Sequence, residues 1–149
     1  MEIPIKTARD VTEYLLRRTE AAFHSGDFDE FKDSLTLPYH LETFKGRRTL
    51  NTTEKLRDLF DAVRAHHRRT GVTDMDRYVL EASFQDDKTI VATFETRLLN
   101  GTVLTQKPYP VLSVMKFDGG AWRAHSMTFA IDDNEDHNAA LMGEGDRNT

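Results

Sequence analysis

The sequence predicts an α+β domain in which one long, curved antiparallel sheet wraps around three N-terminal helices. Three observations carry that prediction. Helix-period patterning stops at Gly71, and everything after it alternates with the period of a strand. Turn signals at Asp86-Asp87, Asn100-Gly101 and Asp118-Gly119-Gly120 cut that second half into consecutive hairpins. Three helices are too few to cover both faces of so long a sheet, so the sheet must curl around them.

The first helix is expected over Thr7 to His24, where Val11, Tyr14, Leu15, Arg18 and Ala22 recur at three- and four-residue spacing before the stop at Gly26. Asp27 reads as the N-cap of a short helix over Phe28 to Leu35, with Glu30 as its capping-box partner. Short strands are expected at Tyr39 to Thr43 and Arg47 to Leu50. A third helix, capped by Thr53, runs to about Arg69 with Leu56, Leu59, Phe60, Val63 and His67 on its apolar stripe. Four strands follow: Met75 to Gln85, Thr89 to Leu99, Leu104 to Phe117 and Ala121 to Ile131. Pro108 and Pro110 mark a bulge or an edge in the third of them.

The last hairpin carries the most information. With Gly119-Gly120 as a two-residue turn, Phe117 faces Trp122, Met115 faces Ala124, Ser113 faces Ser126, Val111 faces Thr128 and Tyr109 faces Ala130. The opposite face then carries Leu112 and Val114 against Met127 and Phe129. Both faces are too apolar for a strand pair with one side in water. One therefore covers the core, and the other is expected to meet a second copy of the chain through Leu112, Val114, Met127 and Phe129.

Composition sets bounds on function. The net charge of −5 lies entirely in residues 132–149, which read as an acidic flexible tail after a single domain at 1–131. The neutral body argues against nucleic acid, which wants a dense basic face. Absent cysteine excludes disulfide and thiolate chemistry. Nothing approaches the run of ~18 apolar residues that a membrane span needs, and the N-terminus lacks a signal-peptide pattern, so a cytoplasmic location is expected.

The apolar strand followed by Asp118-Gly119-Gly120-Ala121-Trp122-Arg123 and Ser126-Met127, together with the element order, resembles the nuclear transport factor 2-like (SnoaL-like) superfamily over roughly 7–131. The resemblance implies a cone-shaped sheet around helices with a pocket inside, and homodimers are frequent among its members. It also implies a range of functions, from ketosteroid isomerase, scytalone dehydratase and polyketide cyclases to non-catalytic proteins.

Within such a cone, the ligand-binding candidates are Tyr14 on the first helix, His40 on the first strand, and Tyr109, Ser113, Trp122, Ser126 and Thr128 on the Trp122 face of the hairpin. Neutral hydroxyls converging in an apolar cavity suit a small ligand with a few oxygens. The alternative is that each hydroxyl bonds locally or holds a water. Tyr14 matches the isomerase tyrosine only by element. Glu81 is expected to be solvated, and Glu95 with Arg97 to form an outer-face pair. His125 is expected on the outside. His66-His67-Arg68-Arg69 is explained by the dipole at a helix C-terminus, and adjacent histidines facing different sides argue against a metal site. No cofactor is implied, and no catalytic residue is assigned. The leading expectation is a small-molecule-binding cone domain acting as a homodimer. An isomerase, dehydratase or cyclase acting on an apolar ring, and a protein-interaction scaffold, are the alternatives.

Overall fold

Cap chemistry bounds each helix. In the computed structural model, which describes residues 7–132 and 134–143, α1 (Ala8–Ser25) begins where the Thr7 side chain accepts from the Asp10 amide at 3.0 Å. It ends at Gly26, whose φ of 82° supplies the left-handed cap. Asp27 caps α2 (Phe28–Asp33) and Thr52 caps α3 (Thr53–Thr70) in the same way.

The strands are β1 (Leu35–Thr43), β2 (Gly46–Leu50), β3 (Asp74–Asp86), β4 (Thr89–Asn100), β5 (Val103–Leu104), β6 (Tyr109–Asp118) and β7 (Ala121–Phe129). They form one sheet in the order β2-β1-β7-β6-β4-β3, with β5 beside β4. Two features differ from expectation. The sheet is mixed, because β1 joins the free edge of β7 in parallel. The strand expected from Leu104 to Phe117 is interrupted between β5 and β6, where Pro108 has no amide to give the ladder.

The closing hairpin follows the predicted register from Asp118↔Ala121 to Met115↔Ala124 and then departs from it. A bulge inserts His125, so that Val114 pairs with Ser126, Ser113 with Met127, Leu112 with Thr128 and Val111 with Phe129. One extra residue reverses every side chain beyond it. Met127 and Phe129 therefore turn into the cone, and Ser126 and Thr128 turn out.

The core fills the concave side. From α1 come Val11, Leu15, Leu16 and Ala22, and from α3 come Leu56, Leu59, Phe60 and Val63. Phe23, Phe31 and Phe60 interlock with ring centroids 5.0–5.3 Å apart and close the helical layer. Ile90, Phe94, Val111 and Met115 face them from the sheet, each no more than 2% exposed. Burying each such side chain is worth about 1.5–3 kcal/mol.

Part of the expected tail is a helix of the domain. α4 (Glu135–Met142) buries His137, Asn138, Ala140 and Leu141. The Asn134 side chain accepts from the His137 amide at 3.0 Å, Glu135 and Asp136 sit at the positive end of the helix dipole, and Gly143 closes it at φ 76°. Asp133 and residues 144–149 of the expected tail lie outside the described residues.

Candidate functional site

Two cavities adjoin each other, sharing Phe23 and Met75 in their linings. The interior one measures only about 60 Å³. Its polar lining centres on Arg77, a β3 residue that is 6% exposed. Arg77 Nε donates to Glu20 at 3.1 Å, and Nη2 donates to the Leu16 carbonyl at 2.6 Å and to the Thr19 hydroxyl. Its guanidinium also lies 5.7 Å from the Phe94 ring centroid. Burial pulls Arg77 below its usual range while Glu20 opposes that shift, the outcome expected of a buried cation held by a carboxylate. The phenols of Tyr39 and Tyr109 share this cavity, and burial pushes both above the usual phenol range. Tyr109 is also hydrogen-bonded to Thr96.

α4 closes this cavity. His137, 2% exposed, stacks on His66 at 4.5 Å, meets the Tyr109 ring edge-on at 5.5 Å, and its Nδ1 lies 3.2 Å from Gln106 Oε1. His66 Nδ1 lies 3.0 Å from an Asp136 oxygen. The dipole explanation for the histidine pair thus covers only its position at the end of α3, since His66 is 1% exposed and serves as the seat of α4.

The second cavity is a cleft of about 500 Å³ between the C-terminal ends of α1 and α3 and the start of β3. Arg17, Arg64, Arg68, His24 and His67 line it together with Glu20 and Asp74, over an apolar floor that includes Phe23, Val72 and Met75. Arg64 Nε donates to the Phe23 carbonyl at 3.0 Å, and Arg17 pairs with Glu20 at 3.0 Å. His67 Nε2 is buried with no hydrogen-bond partner among the described residues. Burial, chiefly, and the neighbouring cations hold its pKa down at about 4, so the ring is neutral.

The predicted candidates divide. Tyr109 lines the interior cavity. Ser113 faces inward at 1% exposure, with an Oγ that has no partner among the described residues. Trp122 is buried but packs against Phe84 and Phe117, with ring centroids 6.0 and 5.6 Å away, rather than on either cavity. Tyr14 is 40% exposed, because the buried stripe of α1 runs through Val11, Thr12, Leu15, Leu16 and Thr19 instead. His40 turns out, since its neighbour Tyr39 takes the inward position; it lies 3.1 Å from Thr49 Oγ1 and edge-on to His125 at 5.1 Å. The bulge removes Ser126 and Thr128 from the interior and removes Met127 and Phe129 from the outer patch, where Leu112 and Val114 remain. Glu95 and Arg97 form an outer pair at 2.9 Å beneath Tyr78, and Glu81 is exposed.

Arg77 and the rim residues were not among the sequence candidates. One signal was present: Arg77 stands alone as a charged residue among the alternating positions Met75, Arg77, Val79, which is the pattern of a buried and partnered cation.

No protein-family model matches the sequence, and no curated protein matches it significantly. Solved structures do resemble the fold. A nuclear transport factor 2-like protein of unknown function from Shewanella oneidensis superposes with a TM-score of 0.65 at 12% identity, covering 82% of this chain and 98% of its own. A nuclear transport factor 2-like protein with a cystatin-like fold from Novosphingobium aromaticivorans gives 0.64 at 16% identity, over 90% and 88% of the two chains. A cystatin-like protein of unknown function from Nostoc punctiforme gives 0.62 at 15%, over 83% and 90%. At such identities the likeness concerns the fold.

Proposed function

This chain has the nuclear transport factor 2-like, cystatin-like fold, and on that footing we propose that it is a small-molecule-binding cone domain whose ligand sits in the rim cleft rather than in the cone interior. The observation that supports this is the contrast in volume. A cleft of about 500 Å³ lies in the range of ligand sites, roughly 300–1,000 Å³, whereas about 60 Å³ holds one or two waters. The cleft also combines an apolar floor with a few convergent polar groups, the usual composition of such sites.

Native mass spectrometry of the purified chain tests the reading. A retained small molecule is expected, and Ala21→Trp, which fills the cleft from an exposed position on α1, should release it while circular dichroism stays unchanged. A ligand that survives Ala21→Trp refutes the location.

A homodimer remains part of the proposal in reduced form. Tyr78 and Leu112 are 51% and 45% exposed on the outer sheet face, with Val91 and Val114 beside them, and a second copy is the occupant proposed for that face.

A further inference from the structure

Resting on the rim-cleft reading, we infer that the cleft recognises a carboxylate carried on an apolar body, with Arg64, Arg68 and His67 around the charged end and Phe23, Val72 and Met75 beneath the rest.

Charge is the first support. Three arginines face two carboxylates across the cleft. Glu20 adds little free negative charge to it, because Arg17 holds Glu20 at 3.0 Å from one side and the buried Arg77 holds it at 3.1 Å from behind. Asp74 accepts from the Thr73 hydroxyl at 2.9 Å. Arg64 donates its Nε to a backbone carbonyl and lies 5.8 Å from the Phe60 ring, with no carboxylate in ion-pair range among the described residues. A low-dielectric wall with surplus positive charge favours an anion.

The second support is convergence. Arg64, His67 and Arg68 reach this one cavity from α3, and Arg17 and His24 reach it from α1. The dipoles of α1 and α3 explain why cations gather at these two helix ends. They do not explain why those side chains face one shared cavity.

The floor sets the rest of the ligand. Phe23, Val72 and Met75 offer no charge and no side-chain donor, and they suit a ring or a branched alkyl group. A guanidinium grips a carboxylate through two parallel bonds, and Arg68, at the exposed rim, is free to approach from solvent.

Isothermal titration of the full chain with benzoate, 1-naphthoate and octanoate, each beside its neutral primary amide, tests the inference. At least one acid should saturate, bind 10-fold or more tighter than its amide, and weaken as salt rises. Arg68→Glu, an exposed substitution that leaves the fold intact by circular dichroism, should lower that acid's affinity 10-fold or more. Amides that bind as well as acids, an affinity unmoved by Arg68→Glu, or no saturation of any acid up to about 10 mM, a ceiling of about 2.7 kcal/mol, would each overturn the carboxylate assignment. Ala21→Trp separates the two readings. If it abolishes binding of amide and acid alike while neither is preferred, the cleft stands and the ligand class falls. If acid binding survives it, the location itself falls.

Discussion

Acid should release α4 before the rest of the domain. His137 is the key group, and it is surrounded: His66 stacks on it from α3, Tyr109 meets it from β6, Gln106 holds its Nδ1, and Asp136 and Arg69 lie within ion-pair range of one another beside His66. Burial is the main cause that pushes His137 down to about 3, and the positive charge available to His66 and His67 adds to it. In the detached helix the ring returns to about 6.5. The sign follows from this depression. Docking of α4 is at full strength above about 6.5, where both forms are neutral, and it weakens as pH falls towards 3, because only the open form takes up the proton. Between pH 7.5 and 5 the open population should rise about 30-fold, or about 2 kcal/mol, from His137 alone. Hydrogen exchange followed by mass spectrometry, corrected for intrinsic rates, reads this directly as the protection of the amides of residues 138–142. Protection there should fall about 30-fold over that interval, ahead of the amides of α1, and His137→Phe should flatten the response. A change of less than about 3-fold in α4 would refute the claim that helix docking depends on a neutral His137.

Other substitutions probe the remaining features of the fold. Glu20→Ala strands the buried Arg77 guanidinium and should cost about 3–5 kcal/mol in urea unfolding, whereas Arg77→Met fills the same space with an apolar side chain, leaves Glu20 to Arg17, and should cost less; equal losses would mean that Arg77 acts by packing alone. Met127→Asp should unfold the domain while Ser126→Asp stays within about 0.5 kcal/mol of the parent, and the reverse order would remove the bulge at His125. Leu112→Lys should shift the chain from dimer to monomer in light scattering at unchanged thermal stability; a parent chain that is already monomeric at micromolar concentration ends the outer-face proposal.

The elements were legible because their boundaries are local chemistry. Thr7 and Asp27 as caps and Gly26 and Gly71 as left-handed stops each announce a helix end from sequence alone. Gly119 and Gly120, both at positive φ, fix the last turn in the same local way. Facing was legible only while no irregularity intervened. The bulge at His125 carries no glycine or proline to mark it, yet it exchanges Ser126 and Thr128 for Met127 and Phe129 on the inner wall, and two of the seven predicted site residues went with it. Tyr14 failed for a different reason: α1 buries a stripe one position round from the one assumed, with Thr12 and Thr19 bonding back to the Ala8 and Leu15 carbonyls inside it. α4 was hidden by its charge. Asn134, the acids at 135 and 136, the apolar run Ala139–Met142 and Gly143 form a complete cap-to-cap helix signal that the acidic composition of the tail outweighed.

What the cone can do chemically depends on whether its groups can exchange protons near neutral pH. General acid–base catalysis of an isomerase or dehydratase kind wants a titratable group poised close to the working pH at the reacting atom. The interior presents the opposite. Burial drives Tyr39 and Tyr109 upward and His137 down to about 3. His67 in the rim cleft, at about 4, is likewise fixed in its neutral form. Groups held in one protonation state make durable hydrogen bonds and poor proton carriers, and that favours binding over turnover. The same filled interior would suit a scaffold, but a scaffold gains nothing from a ligand-sized cleft that gathers three arginines over an apolar floor at the junction of α1, α3 and β3.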